Sequence, residues 1–381
     1  MSGTSKQANE RSSTVNKRLT WALAVLVGLF IHGSAFGGPI SGDLRYRHET
    51  IDKEGSDARN RHRIRARFGI KGEVNDHLTL VGRLASGSSD PVSTNQTLDG
   101  SFASKGLVLD RAYFAWHTET AGGARFNVLG GKIKNPYFIP GKSQILWDGD
   151  LNPEGLAVQW TSRPDAPASV FVNAGGFWVD ERSSDDDSML LGAQAGVRTK
   201  VLTAGAGMFA YSETKGRSPF FDAGDSFGNS TVAVDPDGIP DSGDETQVYA
   251  QDFREFEVFF ELSIPAAPLP VTLSGDLVRN TAPDEDNTAY LVGLAVGKAK
   301  KPGQWQAGYN YRKVEKDAVL GVFCDSDFIG GGTDGSGHVF SFKVAVGGNA
   351  ALGATYFHNK AGLDSEMDYK RLQVDFVSKF R

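Results

Sequence analysis

Residues 61–74 read RHRIRARFGIKGEV, with residue types alternating one by one along the stretch. In an extended strand successive side chains point to opposite faces. Arg61, Arg63, Arg65, Arg67 and Lys71 therefore share one face, and Ile64, Phe68, Ile70 and Val74 share the other. Four arginines in one register need water or counter-charge, whereas the wholly apolar opposite face needs hydrocarbon. A strand between lipid and an aqueous lumen supplies both.

The pattern recurs along the chain. Sixteen segments alternate like strands, at 40–51, 61–74, 77–86, 107–118, 124–134, 154–163, 168–179, 189–199, 203–213, 252–264, 269–280, 288–298, 304–316, 337–347, 351–360 and 367–380. In 252–264, Phe256, Val258, Phe260, Leu262 and Ile264 oppose Glu255, Glu257 and Glu261. The stretch 124–134 is ambiguous, because either face reads as apolar. Short links such as Asn75-Asp76 alternate with longer ones at 52–60, 87–106, 135–153, 180–188, 214–251, 281–287, 317–336 and 361–366. A soluble sandwich has similar strands but no reason to alternate its loop lengths. A transmembrane barrel does, with short periplasmic turns and longer extracellular loops. The expected fold is all-β: a transmembrane antiparallel β-barrel of about 16 strands. Tyr46, Trp116, Trp160, Trp178, Tyr290, Trp305, Tyr309, Tyr356 and Phe380 fall near strand ends or on the lipid register, as interfacial girdles do.

Composition agrees. The 381 residues hold 46 glycines and 10% aromatics, and no apolar run is long enough for a membrane-spanning helix. The longest, Leu19 to Ile31, follows Arg11, Lys17 and Arg18 and precedes small residues at 33–38. That order predicts a cleaved secretory signal over 1–37, ahead of a barrel domain over 38–381. Exits after Ala35 and after Gly37 both fit; the alternative is a short N-terminal anchor, too short to span. Without 1–37 the chain carries 36 Lys+Arg against 45 Asp+Glu, a net charge of −9 that argues against nucleic acid as a partner. Cys324 is the only cysteine, so no internal disulfide forms, and its place in the seventh long link predicts an exposed thiol.

Several stretches resemble the bacterial outer-membrane "putative porin" family: ISGDLRYRHETID at the start, RIRARFG, LASGSSDPVSTNQTL, LDRAYFAWH and GGKIKNPYFIPGKSQILWDGDLNPEGLAVQW. The resemblance is densest over 40–160. It implies an outer-membrane β-barrel pore and says little about the solute. One departure is the C-terminus, where Arg381 follows the aromatic Phe380 that barrel-assembly machinery reads in such proteins.

In a pore the chemistry is electrostatics in a narrow aqueous tube. Arg45 and Arg47 share a parity on the first strand and stand beside Arg63, Arg65 and Arg67, with Arg83 on the third. Together they form a basic wall that attracts anions. The competing structural reading pairs these arginines with barrel acids such as Glu49 or Glu73, or with lipopolysaccharide phosphates. The link 135–153 carries Tyr137, Phe138, Ile139, Ile145, Leu146 and Trp147, too apolar for a loop bathed in water. It reads as an infolded constriction loop presenting Asp148, Asp150 and Glu154 to the basic wall, or else as a cap on neighbouring loops or a partner subunit. Asp235, Asp237, Asp241 and Asp244 have oxygen spacing suited to calcium, against the plainer reading of solvated Asp-Pro-Gly turns.

No HExxH motif or Cys/His metal set occurs, and an enzyme in a barrel is the distant rival, with a structural or adhesive barrel beside it. The expectation is a porin passing small hydrophilic solutes and ions passively, without a cofactor. The alternative is a channel specific for an anion or a small organic solute. Expected partners are outer-membrane lipids, lipopolysaccharide, the assembly machinery and, by analogy, two further copies in a homotrimer.

Overall fold

The computed structural model describes residues 40–235, 245–265 and 269–381. The predicted signal segment and three of the proposed calcium ligands (Asp237, Asp241 and Asp244) lie outside the described residues. None of the described helices is long and apolar enough to cross a membrane.

Among the described residues there are nineteen strands: β1 Ser41–Lys53, β2 Arg59–Glu73, β3 Leu78–Ser86, β4 Gln96–Thr97, β5 Leu107–Glu119, β6 Arg125–Lys132, β7 Glu154–Thr161, β8 Ala168–Asp180, β9 Ser188–Thr199, β10 Leu202–Tyr211, β11 Thr231–Val234, β12 Thr246–Tyr249, β13 Arg254–Ile264, β14 Val271–Asn280, β15 Thr288–Gly297, β16 Trp305–Val314, β17 Gly335–Ala345, β18 Ala350–Ala361 and β19 Met367–Phe380. All except β4, β11 and β12 form the wall, sixteen strands each antiparallel to the next. β19 closes on β1, from Gly42 opposite Phe380 to Lys53 opposite Tyr369. Closure leaves no unpaired edge, which any membrane-spanning sheet requires. β4 extends the wall where β3 stops, pairing Thr97 with Arg63 and Gln96 with Ile64.

Leu44, Tyr46, Phe68, Phe114, Trp116, Leu191, Met208, Phe256, Phe340 and Phe376 project outward, each more than a third exposed. So continuous an apolar surface is untenable in water and is the lipid-facing band of a barrel. The ambiguous stretch 124–134 has a physical explanation: both of its faces are apolar. Phe126 packs outside on Trp116, while Leu129 packs inside against the buried cluster. The first and last long links are shorter than predicted, because β1, β2 and β18 run on past the expected ends.

One irregularity reorients side chains. Arg83 pairs with Arg111 and Leu84 with Leu109, leaving Asp110 as the extra residue of a bulge. A bulge shifts the in–out alternation by one. The apolar outward positions accordingly change from Leu107 and Leu109 to Phe114 and Trp116.

The lumen is far from empty. Tyr137, Ile145, Leu146 and Trp147, from the link between β6 and β7, pack on Phe177, Leu190 and Phe209 of the wall. Ala318, Val319, Leu320, Val322, Cys324 and Phe328, from the link between β16 and β17, join the same cluster. Trp147 stacks on Tyr137 at 5.0 Å and meets Phe209 edge-on at 4.5 Å. The apolar cluster thus occupies one side of the interior, and the arginines line the other. This second infolded loop corrects the reading of Cys324, which is buried rather than exposed. Its Sγ contacts the Ile145 carbonyl at 3.0 Å, and burial pushes the thiol well above its ordinary pKa. A maleimide should therefore leave Cys324 unlabelled in the folded barrel and modify it fully after unfolding, as read by mass spectrometry.

Candidate functional site

The register of β1 on β2 decides the wall. Arg47 lies opposite Arg63, Arg45 opposite Arg65, Asp43 opposite Arg67 and Glu49 opposite Arg61. Directly opposed like charges destabilise a sheet, so carboxylates must be drawn in. Asp43 accepts from Arg65 at 2.8 Å and Arg67 at 2.7 Å. Glu49, wholly buried, accepts from both Arg61 and Arg371. Arg47 holds Asp375 at 2.7 Å, and Arg83 holds the bulge residue Asp110. The structural reading of the ladder thus accounts for part of it, with Glu49 in the predicted role. Glu73 pairs with Lys71 instead.

Three loops reach the same wall. From the 133–153 loop, Asp150 takes Arg67 at 3.2 Å and Arg65 at 3.8 Å, and Asn152 bridges Asp110 and Arg111. From the 315–334 loop, Asp327 takes Arg47 at 3.2 Å and Arg371 at 2.5 Å, while Asp325 takes Arg312 at 2.7 Å. From the 87–106 loop, Asn95 accepts from Arg45, and the Thr94 hydroxyl donates to Asp150 at 2.8 Å. The neighbouring arginines hold the carboxyl of Asp150 below the usual range despite its burial, and those of Arg371 and Arg47 do the same for Asp327.

The predicted acids separate here. Asp150 faces the basic wall as expected. Asp148 is turned away and accepts from the Ser326 backbone at 3.0 Å and hydroxyl at 3.1 Å, which ties the two apolar loops together. Burial, with Asp325 and Asp150 nearby, pushes its carboxyl well above the ordinary range. Glu154 sits exposed at the start of β7 and pairs with Lys132 at 2.6 Å, away from the ladder. Asp327, Asp325, Asn152 and Arg371 were not singled out from the sequence. For Asp325 and Asp327 the available signal was the apolar run AVLGVF at 318–323, which marks a second loop unsuited to water.

On this wall, among the described residues, Arg45, Arg63 and Arg111 have no carboxylate within 4 Å. Arg45 and Arg111 lean on Asn95 and Asn152, and Arg63 reaches only Ser93, at 3.5 Å. Below this layer a cavity of about 1140 Å³, lined by Arg67, Arg83, Arg111, Lys134 and Lys379, faces the short-turn end. Above it a smaller one of about 220 Å³ is lined by Arg61, Arg63 and the infolded loops. The two cavities share no lining residue.

A closed sixteen-stranded barrel with a charged interior narrowed by loops is the geometry of a pore. Residues 43–380 match the family model described as "Putative porin". The chain belongs to that family. A solved structure agrees in fold. A multiply substituted mutant of Rhodopseudomonas blastica porin superposes with a TM-score of 0.50 at 8% identity, covering 90% of this chain and 99% of that one. OmpT, an outer membrane protein of Vibrio cholerae, matches in its trimer form at 14% identity with a TM-score of 0.49 and the same coverage. No curated protein matches the chain. As a porin-family barrel the protein resides in the bacterial outer membrane, and its family and fold are those of a channel.

Proposed function

We propose that this porin passes small hydrophilic solutes by passive diffusion and favours anions. The single observation behind the selectivity is the excess of positive charge in the narrow layer, where Arg45, Arg63 and Arg111 lack carboxylate partners while standing opposite other arginines. In a confined aqueous passage such charge raises the local anion concentration. The net negative charge of the whole chain acts at larger distance and is screened within about 8 Å at physiological salt. Export by a signal over 1–37, lipopolysaccharide at the outer rim and assembly as a homotrimer complete the proposal.

Stepwise open-channel conductance of purified protein in a planar bilayer is expected, with a reversal potential on the anion-selective side in a KCl gradient. Arg45→Gln combined with Arg111→Gln should move that potential by several millivolts toward zero. An unmoved potential assigns both arginines to structure, and an electrically silent protein contradicts the channel reading.

The proposed calcium site stands on sequence spacing, and Asp235 is its one described member. If calcium binds there, titration into chelator-treated protein should give a saturable heat that Asp237→Asn and Asp241→Asn together abolish.

A further inference from the structure

We infer that the cavity above the constriction is a binding station for a small monocarboxylate bearing an apolar group. The inference deepens the channel reading, since solute enters through the long-loop end. At about 220 Å³ the space is smaller than pockets that enclose drug-sized ligands, and so suits a compact solute.

Its lining is chemically divided. Arg63 stands on one side, with no carboxylate among the described residues within salt-bridge distance and with its Nε buried and unpartnered. Ser93 and Ser326 line the same cavity, the Ser326 hydroxyl donating to Asp148. Val92, Val322 and Phe221 supply an apolar lining. A guanidinium prefers a planar, two-oxygen acceptor, which a carboxylate offers. A partly buried guanidinium whose Nε has no partner gains one from an incoming carboxylate.

Asp90 sets the charge limit. It lines the same cavity, held in place by the Val92 N–H at 2.9 Å. A second negative charge on the solute would meet Asp90, so the site discriminates monoanions from dianions. A neutral isostere would leave Arg63 unsatisfied.

Isothermal titration of the full mature chain in detergent tests this without reference to conductance. The probes are benzoate, its neutral counterpart benzamide, and the dianion phthalate. Benzoate is expected to bind at least tenfold more tightly than either of the others. Arg63→Gln should weaken benzoate at least tenfold, and Phe221→Ala, which alters only the apolar lining, several-fold. Heat-modifiable gel mobility checks that each variant has formed a barrel; if Arg63→Gln does not fold, the Phe221→Ala result and the probe ranking decide. Equal affinity for benzoate and benzamide, or absence of benzoate binding, overturns the inference even if bilayer conductance is normal. Benzoate binding with the stated ranking in an electrically silent barrel would uphold the site and contradict the channel.

Discussion

Arg371→Gln is expected to destabilise the barrel by about 3–5 kcal/mol, the range for breaking a buried ion pair. Arg371 is 2% exposed and lies on β19, the strand that closes the cylinder against β1. Its guanidinium bonds Glu49 through Nε at 2.9 Å, reaches Asp327 at 2.5 Å, and donates to the Asp327 carbonyl at 3.2 Å. With Arg47 and Arg61 it forms a cluster of three guanidiniums against three carboxylates, Glu49, Asp327 and Asp375. Removing one cation leaves an uncompensated negative charge in a site from which water is largely excluded. Removing Glu49 as well should restore a substantial part of the loss, because the charges balance again. Denaturant titration of barrel unfolding, followed by tryptophan fluorescence, gives both numbers as a double-mutant cycle. A loss below about 1 kcal/mol for the single variant would be the signature of an exposed pair, and would mean that water solvates the cluster.

Trp147→Ala is expected to cost about 3–5 kcal/mol of loop-docking energy and to raise single-channel conductance. Trp147 is 3% exposed, wedged between Tyr137 and Phe209. Aromatic pairs of this geometry contribute about 0.5–1.5 kcal/mol each beyond their buried area. The indole is the central apolar anchor of the 133–153 loop, and the polar contacts of Asp148 and Asp150 depend on where it holds the backbone. Without it the loop should leave the inner wall, release Arg65 and Arg67 from Asp150, and widen the passage. Planar-bilayer recordings should show larger and noisier steps. Unchanged steps would mean that the ionic contacts alone position the loop.

Much of the wall is written in local chemistry. A period of two in residues such as Ile64, Phe68 and Ile70 is visible without knowing any partner, because the pleat alone imposes it. The bulge at Asp110 was also legible, as the switch of apolar parity between Leu109 and Ala112, although the sequence reading did not use it. The infolding of the 133–153 loop followed from six large apolar residues that no aqueous loop would carry. The same argument applied to residues 318–323, and passing over it produced the wrong exposure for Cys324.

What the neighbours do was not legible. Asp148 and Asp150 are two residues apart with the same chemistry, yet one ties two loops together and the other meets the arginines. Which of Arg45, Arg47, Arg61, Arg63, Arg65 and Arg67 lacks a carboxylate depends on Asp43, Asp327, Asp375 and Arg371, residues up to hundreds of positions away.

The arginine face of residues 61–74 by itself determined that this strand divides water from hydrocarbon, since backbone geometry fixes the alternation of side chains whatever lies beside it. Only the tertiary structure decided which of those arginines are neutralised and which are left to meet a solute. Ion pairing acts across space, and barrel closure together with loop infolding sets the distances over which it acts.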